Sequence, residues 1–300
     1  MKHIIMIAFA LTLQTGLSCD ICGGISAPGT IGILPGNEFH FVGLRLNYNN
    51  YESYHSTGLG IPYRVTREYF LRSDLQLRWQ LNRKVGFILS APYHYNVQRE
   101  DDKQSTTNGI GDISIGVNYL LLDKVNQKTE QILRIGSSIK APTGDYARDA
   151  WETSNMDPGS GAWDFSFNTY YTAFKNNWGL LQENVYNLRT KNNVDYKYGN
   201  NLLTRVSGIY RVLIGGKNLL LPAIGASYSN TQTDRIKDIP VSSSFNQGHV
   251  VNIETGLTLL TNKFMLNLRY NLPAYQNISD GDVKAFGGLE FSTYFLIQKK

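Results

Sequence analysis

The 300 residues are 42% hydrophobic and 18% charged, with a mean hydropathy of −0.28, which is too polar for a bundle of membrane helices. Tyr (19), Phe (13) and Gly (28) are plentiful while Met (4) and Cys (2) are scarce, a balance suited to strands, interfacial girdles and a crowded barrel interior. The net charge of +5 is scattered without any Lys/Arg run, so no nucleic-acid partner is expected.

Residues 1–18 read as a signal peptide. Met1, Lys2 and His3 form a basic start, residues 4–13 are an apolar run, and Gly16 and Ser18 are the small residues of a cleavage site. The run is too short to span a bilayer, and no run of roughly 18 apolar residues follows it. Cleavage after Ser18 leaves Cys19 first in the mature chain. A lipoprotein signal, with lipid on Cys19, is the rival reading, although Gly16 stands where such signals usually place Leu.

Cys19 and Cys22 open a lead-in over 19–37 that is rich in Gly and Pro. Two close thiolates suit a soft metal. The alternative is a small disulfide formed in an oxidising compartment. No second Cys pair or His cluster completes a tetrahedral set. No cofactor is expected, and a metal at Cys19/Cys22 is the one exception the sequence leaves open.

From residue 38 onward the chain alternates with period two, and 38–300 read as one barrel domain. Near 38–49, Val42, Leu44, Leu46 and Tyr48 oppose Gly43, Arg45, Asn47 and Asn49. Near 66–81, Leu71, Leu75, Leu77 and Trp79 oppose Arg72, Asp74, Gln76 and Arg78. Near 85–97, Phe87, Leu89, Tyr93 and Tyr95 oppose Gly86, Ser90, His94 and Asn96. The pattern recurs in nine further segments, which place Asp112, Arg134, Lys140, Asp164, Arg205, Arg211, Glu254, Arg269 and Glu290 opposite apolar faces. The segment near 178–189 is the least clear, with polar residues on both faces.

About twelve segments result, each about 10–14 residues long, where soluble strands average about five or six. A membrane strand tilted by about 45° needs about 9–11 residues. Short links at 82–84, 175–177, 215–217 and 261–263, and a somewhat longer one at 123–130, alternate with long polar stretches near 50–65, 98–109, 142–161, 190–200, 230–248 and 274–283. Bacterial barrels show this alternation, with short turns in the periplasm and long loops outside. The expected fold is all-β, an antiparallel up-and-down transmembrane β-barrel of the cell outer membrane with lipid as its partner.

Charge then sets the register. A Lys or Arg on the lipid face at mid-bilayer costs about 2–4 kcal/mol. Arg45, Arg72, Arg78, Arg134, Lys140, Arg205, Arg211 and Arg269 on that face would together exceed the roughly 5–15 kcal/mol stability of a typical fold. The charged face, with Asp74, Asp112, Asp164, Glu254 and Glu290, is therefore the interior. These residues are candidates for lining a lumen, and paired charges filling it are the structural alternative. Tyr48, Trp79, Tyr93, Tyr95, Tyr119, Trp163, Trp178, Tyr228 and Tyr270 suit an interfacial belt. No catalytic residues are assigned. His94 is the best-placed His, but Ser90 on its face is a full four-residue step away, over about 12 Å. No Gly-x-Ser-x-Gly, His-Glu-x-x-His or phosphate loop occurs.

Three pieces carry a resemblance. Gly109-Ile110-Gly111-Asp112 starts a strand, Lys140-Ala141-Pro142-Thr143-Gly144 ends the next, and Pro158-Gly159-Ser160-Gly161-Ala162-Trp163-Asp164 starts another. They resemble the outer-membrane barrel family named for the meta-pathway of phenol degradation. The motifs cover mainly residues 109–164. The resemblance implies an outer-membrane barrel with a transport role, often for small hydrophobic compounds, and brings no catalytic residues. The terminal Gln298-Lys299-Lys300 departs from the terminal aromatic common in such barrels. The leading expectation is a passive channel or transporter for small solutes. A closed structural or binding barrel with a metal-binding Cys19/Cys22 tail is the second, and an outer-membrane hydrolase is the third. Oligomeric state and substrate are not readable.

Overall fold

The computed structural model describes residues 39–55, 64–146, 156–241 and 247–298. The expected signal peptide (1–18), the lead-in (19–37) and both cysteines lie outside them. Among the described residues the strands in chain order are β1 (Phe39–His55), β2 (Arg64–Gln80), β3 (Val85–Glu100), β4 (Lys103–Ile110), β5 (Ser114–Val125), β6 (Thr129–Lys140), β7 (Asp164–Lys175), β8 (Trp178–Arg189), β9 (Tyr196–Lys197), β10 (Asn201–Tyr210), β11 (Val212–Ile214), β12 (Asn218–Thr231), β13 (Arg235–Ile236), β14 (Ile239–Pro240), β15 (Gly248–Leu260), β16 (Phe264–Ile278) and β17 (Val283–Gln298).

Twelve staves close into a ring. Each of β1, β2, β3, β5, β6, β7, β8, β10, β12, β15, β16 and β17 pairs antiparallel with its chain neighbours in that series. The circle seals where β1 pairs with β17, from Phe39↔Gln298 to Ser53↔Val283. Closure leaves no bare strand edge in the ring, which a bilayer core requires. β4 continues the stave of β5 and pairs with β3, while β11 continues that of β10. β9, β13 and β14 form a separate small sheet.

The short connections and both chain ends of the ring share one rim, the turn end; the long connections share the other, the loop end. Four staves run further than the sequence suggested, β1 and β2 reaching 17 residues, β3 reaching 16 and β16 running on to Ile278. The stretch 98–109 is a hairpin between β3 and β4, not a loop, and much of 50–65 is strand. The reason is physical. Above the apolar band the outward face no longer meets lipid, so apolar alternation stops although pairing continues. The link expected over 123–130 tightens to 126–128 because β5 runs to Val125.

Burial follows the alternation. Along β2, Asp74 is 0% exposed while its neighbour Leu75 is 50% exposed. Trp79 and Trp178 stand outward beside the turns, and Trp163 stands outward near the loop end. No described helix is long and apolar enough to cross a membrane.

Candidate functional site

At the turn end the interior is apolar. Phe41, Leu260, Met265, Tyr294 and Leu296 form one buried cluster, and Phe174, Leu181, Ile209 and Leu221 form another; Leu219 packs against both. Here the sequence is apolar on both faces of a strand, as in Leu219-Leu220-Leu221 and Leu259-Leu260. Glycine makes room for two of the rings. A Cβ on Gly43 would lie 2.2 Å from the Tyr294 ring, and one on Gly179 would lie 2.3 Å from the Phe174 ring. Tyr294 also donates to Gln76 Oε1 at 3.0 Å. Arg211 grips Glu130 with both guanidinium nitrogens, at 2.7 and 2.6 Å, and lies 3.5 Å over the Phe174 ring.

Arg78 and Arg134 lie next above, both buried, and Arg78 donates to Gln80 Oε1 at 2.7 Å. The middle of the barrel then holds four arginines facing four carboxylates. Asp74 accepts from Arg45 (Nε 3.2 Å, Nη2 3.0 Å), from Arg72 (Nε 3.0 Å, Nη2 2.7 Å) and from Ser90 at 3.3 Å. Arg205 pairs with Glu183 and donates to Glu254 at 2.6 Å. Arg269 reaches Glu254 at 3.9 Å and Glu290 at 3.6 Å. Charges of both signs inside a low-dielectric wall stabilise each other where a lone ion would not be tolerated. The layer is formally neutral.

Toward the loop end, the three sequence motifs meet. Asp112 turns inward at the break between β4 and β5. It accepts from the amides of Gly144 (2.9 Å) and Ser160 (2.8 Å) and from the Ser160 hydroxyl (2.7 Å). Lys140 lies 3.1 Å from Asp112 and 2.6 Å from Asp164, and donates to Ser160 Oγ at 2.8 Å. The backbones of Gly111, Gly144 and Gly159 touch. A Cβ on Gly144 would fall 2.8 Å from Gly111 C, and one on Gly159 would fall 2.6 Å from Gly144 C. The motifs thus lock the connection between β6 and β7 against the inner wall. Met156 of that connection packs with Tyr51, Phe70, Val250, Ile278 and Val283 across the mouth, and its carbonyl accepts from Asn96 at 2.9 Å.

A cavity of about 160 Å³ lies between the charged layer and the Met156 cluster. Arg45, Arg72, Arg205, Glu254 and Glu290 border it, with Asn47, Asn49, Asn252 and Asn271 as an amide collar and Tyr51 and Val250 as apolar wall. Of the thirteen residues singled out from sequence, Arg45, Arg72, Asp74, Arg205, Glu254, Arg269 and Glu290 gather in the middle layer. Asp112, Lys140 and Asp164 gather in the loop lock. Arg78 and Arg134 lie below the layer, and Arg211 stands apart at the turn end.

Glu183, Glu130, Ser160 and Met156 were missed. Glu183 sits on β8, whose two polar faces hide the register. Ser160 and Met156 lie in a connection that periodicity cannot describe. His94 lies beside Gly111, whose added Cβ would be 2.7 Å from its Nε2. The Ser90 hydroxyl is engaged with Asp74. No group of three or more His, Cys, Asp or Glu among the described residues could hold a metal ion. Outside the staves, the Lys191 ammonium donates to Asp238 at 2.5 Å and holds that carboxyl below its usual range.

A family model described as "Putative MetA-pathway of phenol degradation" matches residues 36–276. Among solved structures, an outer-membrane channel from Pseudomonas putida F1 superposes with a TM-score of 0.67 at 15% identity, covering 88% of this chain and 97% of its own. The β domain of a Bordetella autotransporter superposes with a TM-score of 0.50 at 10% identity, covering 86% and 99% respectively. At these identities the likeness is one of fold. No curated protein sequence matches the chain.

Proposed function

The chain belongs to the phenol meta-pathway family, whose model spans residues 36–276, and from that premise we propose that it is an outer-membrane barrel acting as a passive channel for small, largely apolar solutes. Its staves cross the outer membrane with the turn end in the periplasm and the loop end outside, as in other bacterial barrels. The observation that carries the reading is the cavity of about 160 Å³ inside the closed ring. An engineered apolar cavity of about 150 Å³ accepts benzene; this one matches it in volume and is lined mainly by charged and amide side chains, so the match to a single-ring solute is one of size. Apolar side chains stand above the cavity around Met156 and, beyond the charged layer and Arg78 and Arg134, around Phe41 and Phe174 at the turn end. A hydrated ion must shed water to pass such collars, whereas an apolar ring gains by entering them. The neutral middle layer offers no net charge to attract either ion sign.

The barrel reconstituted in liposomes tests this. A single-ring probe should equilibrate across the bilayer, while ionic conductance stays small. A folded barrel that passes neither refutes the channel and favours the second reading, a closed structural or binding barrel. The specific support for that alternative is the set of paired charges filling the interior. Its metal-binding arm is tested by metal titration of the full mature chain against a Cys19→Ser/Cys22→Ser variant. The Ser90 hydroxyl, on the same face as His94, donates to Asp74, and no catalytic role is proposed.

A further inference from the structure

On the outer surface of five adjacent strand segments, charged and polar residues stand side by side at the loop end. Pairing registers place Lys284 (β17) beside Glu52 (β1), Glu52 beside Arg67 (β2), Arg67 beside Arg99 (β3), and Arg99 beside Gln104 (β4). All five alternate with inward residues and therefore face outward. Arg67, Arg99 and Lys284 are exposed. On the neighbouring staves β16, β15, β12 and β10 the row continues as Asn277, His249, Asn230 and Leu202, with no Lys, Arg, Asp or Glu.

The cations are held in place. Arg67 donates to Glu52 at 2.9 Å, and Glu52 accepts a second bond from Tyr54 at 3.0 Å. Arg99 donates to Gln104 at 2.9 Å and lies 5.6 Å over the Tyr69 ring. Lys284 lies 5.2 Å over the Phe286 ring. Three cations face one carboxylate, so the row keeps a positive excess. With strands about 4.8 Å apart, the three cations, from Lys284 to Arg99, span roughly 14 Å.

Height identifies the partner. Four or five residues nearer the turn end on the same staves, Leu289, Tyr48, Leu71 and Tyr95 form the matching outward row, and all are exposed. Four residues are about 13 Å along a strand, or roughly 9 Å along the membrane normal at a tilt of about 45°. The cations therefore stand at headgroup level, directly above surface that meets acyl chains. A ligand touching both rows must carry phosphate and hydrocarbon together.

We propose that Arg67, Arg99 and Lys284 form a docking site for the phosphorylated, acylated disaccharide headgroup of outer-leaflet glycolipid. Phosphates sit against the guanidinium and ammonium groups, and acyl chains descend over Leu71, Tyr48 and Tyr95. Arg offers planar two-point recognition of phosphate, and the aromatic belt seats the junction between headgroup and chain. The proposal rests on the outer-membrane reading and is independent of whether the lumen conducts.

The test titrates fluorescent lipopolysaccharide into the mature chain folded in detergent. The wild type should bind saturably, and Arg67→Gln/Arg99→Gln/Lys284→Gln should weaken binding. Each surface cation contributes roughly fivefold, so the three together should cost on the order of a hundredfold. Lys217→Gln/Lys263→Gln, at the turn end, should bind as the wild type does. Dephosphorylated glycolipid and inorganic phosphate should both fail to compete. The proposal is overturned if the triple variant, folded by heat-modifiable mobility, binds as tightly as wild type. Equal competition by phosphatidylglycerol vesicles also overturns it, since that would be general attraction to anionic surfaces. A wild type that does not insert into vesicles fails the membrane reading itself; one that inserts but does not bind fails only this site.

Discussion

Asp74 is the most connected carboxylate of the middle layer, and Asp74→Asn tests the reasoning behind that layer. Both its oxygens are engaged, one by Arg45 and the other by Arg72 and Ser90. Arg45 and Arg72 are 1% and 7% exposed, so neither reaches bulk water. Replacing the carboxylate with an amide of the same shape keeps the volume and leaves two neighbouring guanidinium groups without their shared counter-charge. Breaking a buried pair in this way costs about 3–5 kcal/mol. That is a large part of a typical fold stability of roughly 5–15 kcal/mol. Urea unfolding in lipid vesicles, followed by the emission of the four tryptophans, measures the loss. The double variant Asp74→Asn/Arg72→Gln should recover part of it, because one uncompensated cation goes. A loss under about 1 kcal/mol for the single variant would refute the claim that the charges of the layer depend on one another.

Other consequences can be checked on the same preparations. Gly144→Ala forces a Cβ into the Gly111 and Gly159 backbones; it should cost about 1–3 kcal/mol and render 141–146 and 156–163 sensitive to protease in the folded barrel, while intact protection there would count against the lock. Met156→Ala removes the side chain packed across the mouth and should raise the flux of a single-ring probe, with unchanged flux arguing that the solute does not pass there. Arg205→Gln leaves Glu183 and Glu254 without their shared cation, so any residual ionic current should turn cation-selective, read as a shift of reversal potential under a salt gradient. Gly43→Val collides with the Tyr294 ring and should lower stability by about 1–3 kcal/mol without changing the sign of that selectivity.

Period-two alternation, strand length and the rhythm of short and long links were enough to read the ring, because lipid imposes one rule on every stave at once. The inward direction of Arg45 or Asp74 follows from the same rule. What escaped reading lies where lipid imposes nothing. Above the band, Glu52 and Arg99 no longer meet acyl chains, so the strand segments carrying them looked like loops. At the turn end, Leu221, Leu260 and Met265 point inward although apolar, because ring packing fills a space that charge fills higher up. The lock around Asp112 was visible as three separate motifs, but their convergence depends on a chain reversal between β6 and β7 that no local pattern encodes. Glu183 was hidden because β8 carries Gln182 and Asn184 on its other face.

The seam between β1 and β17 has a consequence for biogenesis. The first and last segments of the ring must find each other across almost the whole polypeptide, with fifteen residue pairs joined at that junction. Such distant pairing is slow. Until it forms, the nascent sheet presents two open borders whose backbone amides and carbonyls no hydrocarbon can satisfy. A chain cut short before Val283 should therefore stall as an unsealed sheet awaiting a chaperone or a protease, because membrane integration here is decided by the arrival of the final segment.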